Sequence, residues 1–162
     1  PSDTRFFPFV SLISLLTFCL TQAPPPVHAA DQPLSILFLG DQGITSPAPG
    51  SANWAGLGLA GPTLIHHGTA AQRERYLRHI LLGDEIWCQL YSEPNAGSDL
   101  ASLRTSAVDA GDHWIVNGQK VWTTNGPISH WAILLARTDP NVPKHKGITC
   151  FLINMRQPGV VV

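Results

Sequence analysis

The sequence predicts an α+β chain in which a helical segment leads into an antiparallel, barrel-like β domain. Three observations carry that prediction. From Trp54 to Gly83 apolar residues recur at helical spacing, with capping chemistry and glycines marking the ends. After Gly83 the period falls to two, and short aromatic and β-branched runs alternate with turn residues. Ahead of both, Ser46-Pro47-Ala48-Pro49-Gly50-Ser51 is a linker-like break.

The helical part opens at Trp54 and runs through Thr63 to His67, where Gly68 stops it. Thr69-Ala70-Ala71-Gln72 is a capping box, in which the Thr hydroxyl accepts from the third amide and Gln reaches back. The helix that follows places Leu77, Ile80 and Leu81 on one face, pairs Glu74 with Arg78, and ends at Gly83. In the β part, Arg104 to Val108 and His113 to Asn117 flank the hairpin turn Asp109-Ala110-Gly111-Asp112. Asn117-Gly118 turns the chain into a strand from Gln119 to Thr124, and strands follow at Trp131 to Ala136 and Gly147 to Ile153. Short strands between turn signals imply a barrel or a sandwich.

Residues 1–30 read as a secretory signal: Arg5, an apolar run from Phe6 to Leu20 broken by Pro8, then Val27-His28-Ala29 as a small-x-small site. The run is too short and interrupted to span a bilayer comfortably. Leu34 to Asp41 holds a short buried strand, but no Gly-rich phosphate loop follows it.

Composition narrows the function. Hydrophobic residues make up 44% and charged residues 13% of 162, with a net charge of −1. That is enough apolar material for a core, and no basic stripe points to nucleic acid. The cysteines, at 19, 88 and 150, form no CxxC pair and number three, so unmodified thiols in a reducing compartment are expected. Cys88 and Cys150 lie in apolar runs and are expected in the core. His66 and His67 point about 100° apart on a helix and do not make a metal pair.

The stretch with most chemistry is Ile86 to Asp99. A strand breaks abruptly into Ser92-Glu93-Pro94-Asn95-Ala96-Gly97-Ser98-Asp99, where small hydroxyl and amide side chains stand beside free loop amides. Gly97 allows close approach of a ligand to the main chain, and successive amides can hold an anion. Glu93 and Asp99 look like an acid–base pair, but fixing the loop through backbone amides is the expected role. Lys144, His145 and Lys146 form a small basic cluster, expected to be a solvated loop.

Tyr91 to Ser102 resembles the signature of the acyl-CoA dehydrogenase family, in which Thr or Ser, Glu-Pro, a small residue and Ala-Gly-Ser-Asp close the first strand of a flavin-binding β domain. Asn117-Gly118-Gln119-Lys120-Val121-Trp122-Thr123-Thr124-Asn125-Gly126 is similar to the family's second block, at its usual separation. The resemblance runs from about Gly56 to Val162.

It implies three regions. Residues 1–50 are an unassigned extension, 51–84 the end of an N-terminal helical domain, and 85–162 the flavin-binding middle domain, with the C-terminal helical domain absent. FAD is the implied cofactor, held by Gln89, Leu90, Tyr91, Ser92, Gly97, Ser98, Trp122, Thr123 and Thr124. The main chain from Gln89 to Ser92 would lie along the flavin ring, Trp122 would wall it, and Thr124 would donate near N5. Ser98 is also implied in substrate binding. Tyr91 departs from the family's smaller aliphatic residue, which bears on the acyl cavity.

The implied reaction is α,β-dehydrogenation of an acyl-CoA thioester, with electrons passing to an electron-transferring flavoprotein or a similar acceptor. No catalytic residue is implied here; the base is expected beyond Val162. The resemblance further implies a homo-oligomer in the cytoplasm or an organellar matrix, with export by the signal-like segment the lesser reading. Two alternatives stand beside it: a flavin oxidase or desulfurising enzyme on the same scaffold, and a non-catalytic β module that binds a ligand or protein.

Overall fold

The computed structural model describes residues 53–162, together with the backbone of two short strands, β1 (Val27–Ala29) and β2 (Leu34–Ile36). The apolar run from Phe6 to Leu20 and the break at Ser46 to Ser51 lie outside the described residues. A π-helical turn at Gly56–Ala60 leads into α1 (Gly61–His67) and α2 (Ala70–Leu82). Seven strands follow: β3 (Trp87–Leu90), β4 (Ser106–Asp109), β5 (Trp114–Asn117), β6 (Gln119–Lys120), β7 (Trp131–Arg137), β8 (Ile148–Asn154) and β9 (Val160–Val161). After β1 and β2, the helical segment comes first and strands β3 to β9 follow, in line with the change of period after Gly83.

The capping box forms: Gln72 N–H donates to Thr69 Oγ1 at 3.2 Å, and Thr69 N–H donates to Gln72 Oε1 at 2.8 Å. Gly83 closes α2 with φ at 73°, the left-handed cap that glycine adopts without strain. Two expectations for this helix fail. Leu81 is 75% exposed, and the core face is carried by Tyr76, Leu77 and Ile80. Its ion pairs run beyond the helix, from Arg75 to Glu85 at 2.7 Å and from His79 to Asp84 at 3.1 Å, and not from Glu74 to Arg78.

Helices and sheet are joined by an aromatic cluster. Tyr76 meets Trp87 edge-on at 5.4 Å and Trp131 at 5.0 Å, while the two indoles stack at 6.1 Å. Arg75 lies 5.0 Å from the Tyr76 ring centroid and 5.4 Å from that of Trp131. Asn53, fully buried, donates to the carbonyls of Ile80 (3.0 Å) and Glu85 (3.3 Å) and accepts from Trp87 N–H (2.9 Å). One amide side chain thus satisfies the end of α2 and the start of β3 together.

The main sheet is six-stranded and open, in the order β1-β5-β4-β7-β3 with β8 on the other edge of β7. Its pairing is mixed, so the barrel-like description holds only loosely. β4–β5 and β7–β8 are antiparallel, whereas β3 and β4 follow one another in parallel along one edge of β7. β1 adds to β5 in parallel, and β2 joins β6 and β9 in a three-stranded sheet. The hairpin forms one residue later than expected: Asp109 pairs with Trp114 as the last pair, so the turn is Ala110 to His113, with Gly111 at φ of 98°.

One core cluster gathers Cys88, Leu90, Val116, Leu134 and Phe151, and a second gathers Tyr91, Leu103, Ile133, Leu135 and Cys150. Both described cysteines are therefore core residues without a disulfide, and burial pushes the Cys88 thiol up to about 12 despite a hydrogen bond with Ser129. No described helix is long and apolar enough to cross a membrane, and no described group of His, Cys, Asp or Glu could hold a metal ion.

Candidate functional site

The two motifs meet at the end of β3. Val121 N–H donates to the Ser92 carbonyl at 2.9 Å, and Lys120 Nζ donates to the Tyr91 carbonyl at 3.0 Å. Beyond Ser92 the chain folds into a tight turn: Glu93 N–H donates to Ala96 O at 2.9 Å, and Ala96 N–H donates to Glu93 O at 3.1 Å. Pro94 and Asn95 are exposed at its tip, followed by exposed Gly97, Ser98 and Asp99.

Glu93 is the anchor of this turn. Its carboxylate accepts from the Arg104 amide (2.6 Å), the Thr105 amide (2.8 Å) and Lys120 Nζ (2.9 Å). Burial alone would push this carboxyl up, but the donors from Thr105, Arg104 and Lys120 outweigh it and hold the pKa below the ordinary 4.5. Lys120 is fully buried, and that burial lowers its pKa against the opposing pull of Glu93. Sequence reading assigned the loop-fixing role to Glu93 correctly and did not single out Lys120, which sits inside the second motif.

Asp99 behaves otherwise than expected. It is exposed, and its partners are side chains: Lys144 Nζ at 2.7 Å and 2.9 Å, and the Ser102 hydroxyl. Lys144 holds the Asp99 carboxyl below the usual aspartate range. Lys144 is thereby committed to Asp99 and is not simply a solvated loop cation.

The other expected residues divide by burial. Leu90 and Tyr91 belong to the two core clusters, and burial pushes the Tyr91 phenol well up. Gln89 and Ser92 are half-buried. The expected strand from Gln119 stops at Lys120, because Trp122 takes a left-handed backbone with φ of 59°. A bulky residue there carries strain of about 1–2 kcal/mol. Its indole is 61% exposed, which excludes the core tryptophan that a strand pattern suggests. Beside it Thr123 is 2% exposed with a hydroxyl that has no hydrogen-bond partner among the described residues, and Thr124 is half-buried.

The second motif thus offers an exposed indole on strained backbone beside a buried hydroxyl, and the first offers the exposed Gly97 stretch. Such residues supply area, a polar contact and room for close main-chain approach. Neither Glu93 nor Asp99 is poised there as a proton acceptor, since both are already engaged.

Acid should loosen the Glu93 turn. Because the folded pKa of Glu93 lies below its unfolded value, its contribution is fully present above the unfolded value and is lost as pH falls through the folded one. Denaturant unfolding should show stability falling below pH 4.5, and Glu93→Gln should flatten that limb. An acid limb equally steep in both proteins would place the titration elsewhere.

Residues 88–162 match the family model for the acyl-CoA dehydrogenase middle domain. Acyl-CoA dehydrogenase FadE34 of Mycobacterium tuberculosis is 54% identical over 103 residues, covering 64% of this chain and 14% of that protein. The solved ChsE4-ChsE5 complex from Mycobacterium tuberculosis superposes with a TM-score of 0.62 at 38% identity, covering 68% of this chain and 28% of that one. A glutaryl-CoA dehydrogenase from Mycobacterium smegmatis in complex with FADH2 gives 0.56 at 36% identity, covering 62% and 25%. The chain therefore spans less than a third of the length of each of these relatives.

Proposed function

From a chain that belongs to the acyl-CoA dehydrogenase family through its middle domain, residues 88–162, we infer an FAD-binding part of an enzyme that dehydrogenates acyl-CoA thioesters at the α,β position. The observation that carries this reading is the junction of the two motifs, Ser92 O to Val121 N at 2.9 Å, with the exposed Trp122 beside it. FAD, when bound, supplies the acceptor for the electron pair and hydrogen leaving the β-carbon.

The chain's own residues position and shield. Trp122 would cover one part of the ring and exclude water, and the main chain of Gln89 to Ser92 would follow its edge. Thr123 and Thr124 offer hydroxyl donors where anionic character develops. Gly97 and Ser98 leave amides and a small hydroxyl open to the pyrophosphate and to the acyl-CoA. The two acids of the first motif, Glu93 and Asp99, are both engaged and not free to remove the α-proton, so the base is expected from outside residues 53–162. An acceptor such as an electron-transferring flavoprotein, and assembly with further subunits, complete the reading.

Titration of FAD into the chain tests it. Trp122→Ala and Gly97→Val should each weaken FAD affinity at least tenfold, with unfolding midpoints little changed. A Cβ at Gly97 meets nothing within 4 Å, so the valine obstructs only an incoming ligand. Unchanged affinity in both variants would make the two motifs structural and overturn the assignment.

A further inference from the structure

The Lys120–Glu93 pair is buried beneath the tight turn. Lys120 is 0% and Glu93 9% exposed, and between them they engage the Tyr91 carbonyl and the amides of Arg104 and Thr105. Buried ion pairs are poor stabilisers compared with well-packed apolar residues, because desolvation offsets most of the attraction. What this one does is geometric. Lys120 ties the last residue before Ser92 to the residue before Val121, so it fixes how the first motif lies against the second. The only direct main-chain bond that β6 and its following residue make to Ser92, from Val121 N–H, sits next to it among the described residues.

We propose that Lys120 and Glu93 are positioning residues: the pair sets the placement of the Ser92 main chain relative to Trp122, and through it the pose of the bound flavin. This rests on the FAD reading above. Lys120 touches no ligand itself; it acts through the Tyr91 carbonyl and the Val121 strand end. Pinning from both sides also explains how a left-handed Trp122 persists on an exposed edge, since strained backbone survives only where its surroundings over-determine it.

The test must separate positioning from stability. Lys120→Met alone leaves a buried carboxylate and can prevent folding, so the informative protein is Glu93→Gln/Lys120→Met, which removes both charges and the donor to Tyr91. Two readouts are taken on the full chain: amide hydrogen exchange at Val121 against the β7–β8 amides, and visible circular dichroism of added FAD. The expected result is at least a tenfold loss of Val121 protection beyond any change in β7–β8, with an altered flavin band. Protection that falls equally everywhere makes the pair a stability element and overturns the proposal. An unaltered flavin band despite faster Val121 exchange overturns it as well. If the unsubstituted chain binds no FAD, the proposed function fails first, and the positioning inference falls with it.

Discussion

Lys120→Met is expected to cost about 3–5 kcal/mol of folding stability, because it strands the Glu93 carboxylate in the interior. Glu93→Gln should cost a similar amount by leaving Lys120 buried without its counter-charge. The double variant should recover part of the combined loss, since replacing both members removes the desolvation penalty along with the attraction. A double-mutant cycle in urea reads this directly, as an interaction energy that departs from additivity. Single losses that simply add would mean that the two side chains, 2.9 Å apart, are energetically independent, and the account of the turn would be wrong.

Gly118→Ala is expected to be nearly as damaging, although it adds one methyl group. A Cβ at Gly118 would overlap Thr105 Oγ1 and lie 2.6 Å from Thr105 Cβ and 2.7 Å from its Cα. The last of these is backbone, held in place by the Glu93 carboxylate on the Thr105 amide, so no rotamer change relieves it. Overpacking of this kind costs about 1–3 kcal/mol, and more where the neighbour is fixed. Gly97→Ala is the control, because its Cβ meets nothing within 4 Å. Thermal unfolding should separate the two by several degrees; equal midpoints would show that the β5–β6 corner yields more freely than its contacts allow.

What was legible in the sequence was local. The capping box at Thr69, the left-handed Gly83 and the hairpin turn around Gly111 each follow from a few adjacent residues, and each is present, the turn shifted by one residue. Glu93 was expected on backbone amides, and two of its three donors are the Arg104 and Thr105 amides. The misses share one cause: they depend on residues distant in sequence. Lysine is a surface residue by default, and Lys120 becomes a core residue only because Glu93 and the Tyr91 carbonyl, 27 and 29 positions away, converge on it. The strand expected from Gln119 to Thr124 breaks after Lys120, because Trp122 takes a left-handed backbone that no local signal announces. Leu81 fitted the helical stripe, yet the sheet packs one step round, against Tyr76, Leu77 and Ile80. The parallel pairing of β3 with β7 leaves no local trace at all, since such pairs are not joined by a turn.

The bond from Lys120 to Tyr91 closes 29 residues of chain, and the β4–β5 hairpin lies inside that span. An isolated hairpin forms in about 1–10 μs, whereas closing a long flexible segment carries an entropic cost that rises with its length. Once β4 and β5 have paired, the hairpin draws the ends of the span together and little slack remains to be gathered. The expected kinetic order is the hairpin first, then the ammonium reaching the Tyr91 carbonyl, with Trp122 taking its left-handed backbone last. The Trp122 segment is then expected to form late, and slowing the Gly111 turn should delay it more than it delays β7 and β8.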